Sequence, residues 1–153
     1  MESRILLVGI GNCGRADDGL GWAFIDKIQS SLPENYDFEY RYQLQIEDAE
    51  LASKYQTVIF IDAHNDSFEK GFVFKECFPQ ATASFTTHEL APESVLYLTD
   101  SIYDKKPKSF TLGITGVNFC LAIGLSGSAE QNLLNALDFF IIKMHLQPIK
   151  TIT

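Results

Sequence analysis

The chain has 153 residues, in which 20 acidic side chains exceed 12 basic ones and leave a net charge of −8. This length predicts a single domain, residues 1–153, with a full hydrophobic core. The acidic balance argues against binding to nucleic acid, which needs clustered Lys and Arg. No apolar run approaches the roughly 20 residues that span a bilayer, and the first apolar run is too short for a signal peptide. Three scattered cysteines indicate a reducing compartment, so we expect a cytoplasmic protein without membrane insertion.

Strand and helix patterns alternate along the chain, with no internal repeat and no linker between them. Continuous aliphatic runs are typical of strands buried on both faces, and apolar residues three or four positions apart are typical of helices. The fourth strand pattern alternates and is expected to form an edge strand, which Pro79 ends. The predicted strands are Arg4–Val8, Tyr36–Leu44, Thr57–Asp62, Gly71–Phe78 and Ser109–Ile114. The predicted helices are about Asp18–Leu32, Ile46–Lys54, Ala91–Leu98 and Ala129–His145.

This order of elements predicts an α/β, single-domain three-layer fold, with a twisted, mostly parallel sheet of about five strands and helices on both faces. In such sheets, functional groups lie in loops after the carboxyl ends of strands, where the strand order reverses. If the strand order is 2-1-3, the loops after the first and third strands are neighbours. Those loops carry Asp17, Asp18 and Asp62, which we therefore expect to lie near one another.

A glycine-rich loop, Gly9–Gly14, follows the first strand with the G-x-G-x-x-G spacing of dinucleotide-binding loops. A nucleotide-binding module that uses this loop is therefore one alternative for the chain. Against it, Asp17 and Asp18 occupy the start of the following helix, where they would repel a pyrophosphate. One of these two carboxylates is expected to cap the helix, and a second acid at the same end is more than capping requires.

Polar side chains also follow the third strand. Asp62 ends that strand, His64 is two residues further on, and His88 lies in a polar loop between predicted elements. Taken alone, each is an ordinary turn or surface residue. If Asp18, Asp62 and His88 meet, two carboxylates and an imidazole form a three-ligand site with open positions, which suits zinc or nickel better than magnesium. His64 is a rival ligand to His88.

Other reactive residue types carry no catalytic pattern. No cysteine has the short spacing of a zinc knuckle, and Cys77 and Cys120 are expected to pack in the core. Cys13, in the glycine-rich loop, is expected to be a small turn residue. Ser126 lies between glycines with no base nearby, so it is expected to begin the last helix.

Four segments, in this order, resemble the [NiFe]-hydrogenase maturation proteases. They are GIGNCGRADDGLG at residues 9–21, VIFIDA at residues 58–63, the isolated His88, and GLS at residues 124–126. The similarity extends over most of the chain. The fold of that family, a twisted and mostly parallel sheet between helices, agrees with the fold expected from the order of the elements.

The resemblance implies an aspartic-type endopeptidase of the cytoplasm that activates a hydrogenase. Such a protease removes the C-terminal extension of the large-subunit precursor after nickel has been inserted. The resemblance also implies a metal-binding triad, which falls on Asp18, Asp62 and His88 in this sequence. The nickel is supplied by the substrate, and we expect zinc or cadmium to substitute for it in vitro. The expected partner is the precursor, and the expected oligomeric state is a monomer.

One segment departs from the better-known members, which carry a glycine-rich stretch after the second strand. Here that place reads YQLQIED, Tyr42–Asp48, in which Gln43, Gln45 and Glu47 are the candidate substrate contacts. Asp17, as a spare carboxylate, is the candidate general base. A non-enzymatic nickel-binding or metal-binding assembly factor is a further alternative, and it would bind metal without changing the mass of the precursor.

Overall fold

The computed structural model describes residues 3–81 and 90–149. Short 3-10 helices at Ala16–Gly19 and Gln29–Ser31 flank the first α-helix, so the single helix predicted over Asp18–Leu32 is built in three parts. The strands of the described residues are β1 (Ile5–Ile10), β2 (Tyr36–Arg41), β3 (Thr57–His64), β4 (Phe72–Cys77) and β5 (Lys108–Thr115). The α-helices are α1 (Leu20–Ile28), α2 (Glu47–Ala52), α3 (Pro92–Tyr103) and α4 (Gly127–Lys143).

The five strands form one sheet in the order β2-β1-β3-β5-β4. β1 pairs in parallel with β2 and with β3, β3 pairs in parallel with β5, and β4 runs antiparallel to β5. This confirms the mostly parallel sheet, the 2-1-3 order of the first three strands, and the position of β4 at an edge. The loops that follow β1 and β3 are therefore neighbours at the carboxyl edge of the sheet.

Helices cover both faces of the sheet, as the alternation of strand side chains requires. One buried cluster joins Leu7, Ile59 and Ile61 to α1 and α4. The other joins Leu6 and Phe60 to α2 and α3. No helix within residues 3–81 or 90–149 combines the length and the apolar composition needed to cross a bilayer.

Several element ends differ from those that the sequence pattern predicted. β2 stops at Arg41, where its guanidinium Nε donates to Asp48 Oδ1 at 2.9 Å and the chain turns away. β3 continues through His64 because it pairs with β5 up to Thr115. α3 continues to Tyr103 and ends at Asp104, whose φ of 54° is left-handed.

Close backbone contact fixes α1 against the sheet. A Cβ at Gly21 would lie 2.5 Å from the carbonyl oxygens of Ile10 and Ile61, and a Cβ at Gly9 would lie 2.7 Å from the carbonyl oxygen of Gly21. Neither side chain could be accommodated without moving backbone. These two glycines therefore allow close helix–strand packing. This packing holds the acidic turn before α1, Ala16–Gly19, at the carboxyl edge.

Candidate functional site

The turn after β1 orients Asp18. Gly11 has a φ of +145°, which L side chains rarely adopt, and a Cβ there would lie 2.0 Å from the carbonyl oxygen of Asp18. The Asn12 amide donates to this carbonyl oxygen and to Asp18 Oδ2, each at 3.1 Å. The half-buried side chain of Asp18 is thus held by the backbone of the loop that precedes it.

The same contacts weigh against nucleotide binding. Besides the Asn12 amide, the Gly11 amide is used internally, because it donates to the carbonyl oxygen of Arg41 at 2.9 Å. The Gly14 amide donates to Asn12 Oδ1, also at 2.9 Å. A phosphate-binding loop instead directs such amides at its ligand. The geometry therefore favours a loop that positions Asp18.

Gly11→Ala is expected to destabilise the fold and displace Asp18, because the added methyl group meets a backbone oxygen at a strained φ. The expected cost is at least about 2 kcal/mol, which lowers the melting temperature of a chain of this size by at least about 4 °C. Gly14→Ala is the matched control, since its Cβ would meet only the Asn12 side-chain oxygen, at 3.2 Å. Equal melting temperatures for the two variants would contradict this interpretation of the loop.

Asp17 is fully buried and joins the acidic turn to the segment before α4. Its Oδ2 accepts hydrogen bonds from the amides of Val117 at 2.8 Å and Asn118 at 3.0 Å and from Ser126 Oγ at 2.7 Å, and its Oδ1 accepts from the Ser126 amide at 2.7 Å. Burial raises the pKa of Asp17, but these hydrogen bonds lower it by more, and the net pKa is below its ordinary value. A buried carboxylate engaged in this way is a structural anchor, which argues against the prediction that Asp17 is a general base.

Ser126 begins α4, as predicted. Its Oγ accepts a hydrogen bond from the Ala129 amide at 3.2 Å and donates one to Asp17. The segment at residues 124–126 therefore connects α4 with the acidic turn. Sequence reasoning missed this link, for which the only signal was a second acid beside Asp18.

Asp62 and His64 lie on the same side of the end of β3. Asp62 Oδ1 accepts a hydrogen bond from the Ala63 amide at 2.7 Å, which orients the carboxylate. His64 Nδ1 accepts one from the Asp66 amide at 3.1 Å, so the neutral ring carries its proton on Nε2. The His64 ring also packs edge-on against Phe68, with 5.3 Å between ring centroids.

Asp62 borders two cavities at the carboxyl edge. One, of about 250 Å³, extends past Gln43. The other, of about 300 Å³, extends past His64 toward β4. Both are also lined by Ile10 and Pro92. A polypeptide bound across this edge of the sheet would therefore contact Asp62 between the two cavities.

The three candidate substrate contacts lie around one cavity. Gln43, Gln45 and Glu47 all line a recess of about 490 Å³ in the loop between β2 and α2. Asp48 shapes this loop, because its Oδ2 accepts the Gln45 amide at 2.9 Å while its Oδ1 accepts from Arg41. The structure thus brings these polar side chains together beside the cavity that contains Asp62.

His88 lies outside the described residues, so its place in the metal triad stays a prediction. Within residues 3–81 and 90–149, no three His, Cys, Asp or Glu side chains come together in the arrangement of a metal site. Asp18 follows β1, Asp62 lies in β3 two residues before its end, and these two strands are paired in the sheet. Each carboxylate accepts a hydrogen bond from a nearby backbone amide.

The cysteines are free. Cys77 is buried as expected, and burial is the main cause that raises the pKa of its thiol to about 12. Cys120 is exposed, so the expectation that it packs in the core was wrong. It lies in the apolar segment between β5 and α4, where Leu121 and Ile123 are exposed as well.

The strand order and the acidic carboxyl edge define an α/β protein with the fold of the hydrogenase maturation endopeptidases. One similar structure is the hydrogenase maturating endopeptidase HybD from Escherichia coli, with a TM-score of 0.74 and 18% identity over 95% of this chain and 96% of that one. Another is the [NiFe] hydrogenase maturation protease HycI from Thermococcus kodakarensis, with a TM-score of 0.68 and 21% identity over 92% of this chain and 93% of that one. A third is a hydrogenase 2 maturation peptidase from a Thaumarchaeota archaeon, with a TM-score of 0.66 and 22% identity over 92% and 97% of the two chains.

These likenesses span nearly the full length of each chain. At identities of 18–22% they establish the fold, which agrees with the resemblance of the sequence motifs. No protein-family model matches the chain, and no curated protein matches it. A shared fold does not define an activity, which depends on the residues at the carboxyl edge of the sheet.

Proposed function

We propose that this chain is an endopeptidase that removes the C-terminal extension of a [NiFe]-hydrogenase large-subunit precursor after nickel insertion. The observation that carries the proposal is the acidic edge, where Asp18 follows β1, Asp62 lies near the end of the paired strand β3, and each carboxylate is oriented by a backbone amide. This edge belongs to a fold shared with named hydrogenase maturation endopeptidases. The proposal includes a cytoplasmic location, with which the free Cys13 and Cys120 are compatible, and a monomeric state.

In this proposal the nickel ion arrives as part of the substrate. Asp18, Asp62 and His88 would bind it, since two carboxylates and an imidazole suit nickel, and zinc or cadmium would substitute for it in vitro. Bound by these residues, the ion would supply Lewis-acid chemistry, either at the scissile carbonyl group or at a water molecule. The hydrogen bonds to the Asn12 and Ala63 amides orient the two carboxylates before the substrate binds.

The cavities beside Asp62 supply the surface that binds the polypeptide. Gln43 lines both the recess of the β2–α2 loop and the cavity that contains Asp62. Side-chain amides can both donate to and accept from an extended backbone, and Glu47 can bind a basic group. Gln43, Gln45 and Glu47 are therefore the proposed contacts to the precursor, next to the point of cleavage.

Replacement of His88 is expected to abolish processing, because the triad would lose its imidazole. The test is the mass of nickel-loaded large-subunit precursors from the same genome, measured before and after incubation with the wild-type protein or with His88→Ala. Wild type is expected to release the C-terminal peptide, and His88→Ala to do so at least about 100-fold more slowly. Circular dichroism of both proteins checks that the fold is retained.

Two results would contradict the proposal. If wild type binds nickel but leaves the mass of every precursor unchanged, the chain is an assembly factor that does not cleave. If His88→Ala cleaves at the wild-type rate, His88 is not part of the site, and His64→Ala becomes the variant that tests the rival ligand.

A further inference from the structure

The cavity of about 300 Å³ beside Asp62 is open because one strand residue has no side chain. Gly113 of β5 pairs with Asp62 of β3 on one side and with Val73 of β4 on the other. Paired residues of neighbouring strands point to the same face of a sheet, so a side chain at Gly113 would fill the space between them. A Cβ at Gly113 would lie 3.3 Å from His64 Cδ2 and 3.4 Å from Val73 Cγ1.

The cavity combines apolar walls with charged groups that reach solvent. Phe60 is buried, Phe68 and Val73 are half-buried, and all three line the cavity. Asp66 and Lys75 also line it and are exposed. A recess with apolar walls and a few polar groups is typical of a binding site. Its volume is also far above the roughly 30 Å³ that one water molecule occupies in the liquid.

We infer that this recess is a specificity subsite, which receives one apolar side chain of the precursor next to the cleaved bond, and that Gly113 sets its size. The inference rests on the proposed function. It follows from the position of Asp62, which borders both this recess and the one past Gln43, so that the substrate has a recess on each side of the carboxylate. Val73, as the neighbour of Gly113 on β4, sets the width of the subsite from the opposite side.

The test pairs variants of this chain with variants of the precursor. Gly113→Val narrows the subsite, and kcat/KM for the natural precursor is expected to fall about 10–100-fold, the range for a one-methylene mismatch in an apolar pocket. Precursors in which each residue flanking the cleaved bond is shortened in turn to alanine complete the panel. One of these is expected to be cleaved by Gly113→Val faster than the natural precursor, which a general loss of activity would not produce.

Gly127→Val is the matched control, because a Cβ at Gly127 meets nothing within 4 Å and lies outside the cavity. It is expected to cleave all precursors as wild type does. Val73→Ala widens the subsite and adds no bulk. This variant is expected to accept a larger residue at the same position of the substrate. Melting temperatures identify any variant that fails to fold.

The outcomes separate this inference from the proposed function. Suppose that wild type cleaves the precursor, and that Gly113→Val and Val73→Ala rank the precursors of the panel by cleavage rate as wild type does. The subsite is then overturned and the peptidase stands. An equal loss by Gly113→Val for every precursor, without a changed preference in Val73→Ala, also overturns the subsite. If wild type cleaves no member of the panel, the proposed function itself fails, and the subsite fails with it.

Discussion

Asp62→Asn is expected to slow cleavage of the precursor by at least about 100-fold, on the scale of losing one positioned catalytic group. The substitution removes the negative charge that would bind the substrate's metal ion. It keeps the shape of the side chain and an oxygen that can accept the Ala63 amide, which is 2.7 Å from Oδ1 in the wild-type protein. Asp62→Ala would be harder to interpret, because the Ala63 amide would lose its hydrogen-bond acceptor and the fold itself could be destabilised.

Asp138→Asn is the control for this prediction, since Asp138 is exposed on α4 and lines neither of the cavities that Asp62 borders. Cleavage rates are measured by the mass of the nickel-loaded precursor, and melting temperatures are measured for both variants. Asp138→Asn is expected to retain most of the wild-type rate. A near-normal rate for Asp62→Asn would remove Asp62 from the site, and a collapse of its melting temperature would assign it a structural role.

Asp17→Asn is expected to be the most destabilising of the conservative changes at the acidic edge. The variant places an amide group where the carboxylate accepts four hydrogen bonds, so at least one buried donor loses its acceptor. We expect a loss of about 2–3 kcal/mol in the free energy of unfolding and a fall of roughly 4–12 °C in melting temperature. Asp18→Asn is the matched control, because Asp18 is half-buried and its amide oxygen can still accept from Asn12.

The effect of Asp17 on stability depends on pH in a defined direction. Its folded-state pKa is below the ordinary value, because the hydrogen bonds to the carboxylate outweigh the effect of burial. The stabilisation is therefore complete above the unfolded-state pKa of about 3.9 and is lost as the pH falls through the folded-state value. Wild type and Asp17→Asn should differ most near neutral pH and converge in acid. A constant difference from pH 7 to pH 2 would contradict this role.

The general fold could be predicted because it depends on local patterns. Aliphatic runs such as Thr57–Asp62 indicate buried strands, and their alternation with helices permits few sheet topologies. The same topology places Asp18 after β1 and Asp62 near the carboxyl end of β3, and the pairing of these two strands confirms the predicted 2-1-3 order. Ser126 was predictable as well, because a serine before a helical run is a common first residue.

The roles of the two adjacent acids could not be predicted. Asp17 and Asp18 have the same residue type in the same turn, and only contacts with Val117 and Ser126, about 100 residues away in the sequence, distinguish them. Cys120 was misplaced for a similar reason: its segment is apolar, but the backbone there runs along the surface as a loop. Neither distinction is present in any local pattern.

The end of β2 and the recess at Gly113 also depend on tertiary contacts. Arg41 ends its strand because Asp48, from the next helix, binds its guanidinium group. Gly113 is a glycine within a strand. Such a glycine indicates either close approach of another backbone or space left open for a ligand, and the sequence alone does not distinguish the two. Its position between Asp62 and Val73 appears only from the sheet register.

The most direct test of the central claim compares nickel-loaded with nickel-free precursor in the presence of the wild-type protein. The mass of the large subunit is measured before and after incubation, with Asp18→Asn as the inactive control. We predict that only the nickel-loaded precursor loses its C-terminal extension, because Asp18, Asp62 and His88 would bind the precursor through its metal ion. Equal cleavage of both forms, or cleavage of neither, would contradict a peptidase that recognises the nickel of its substrate.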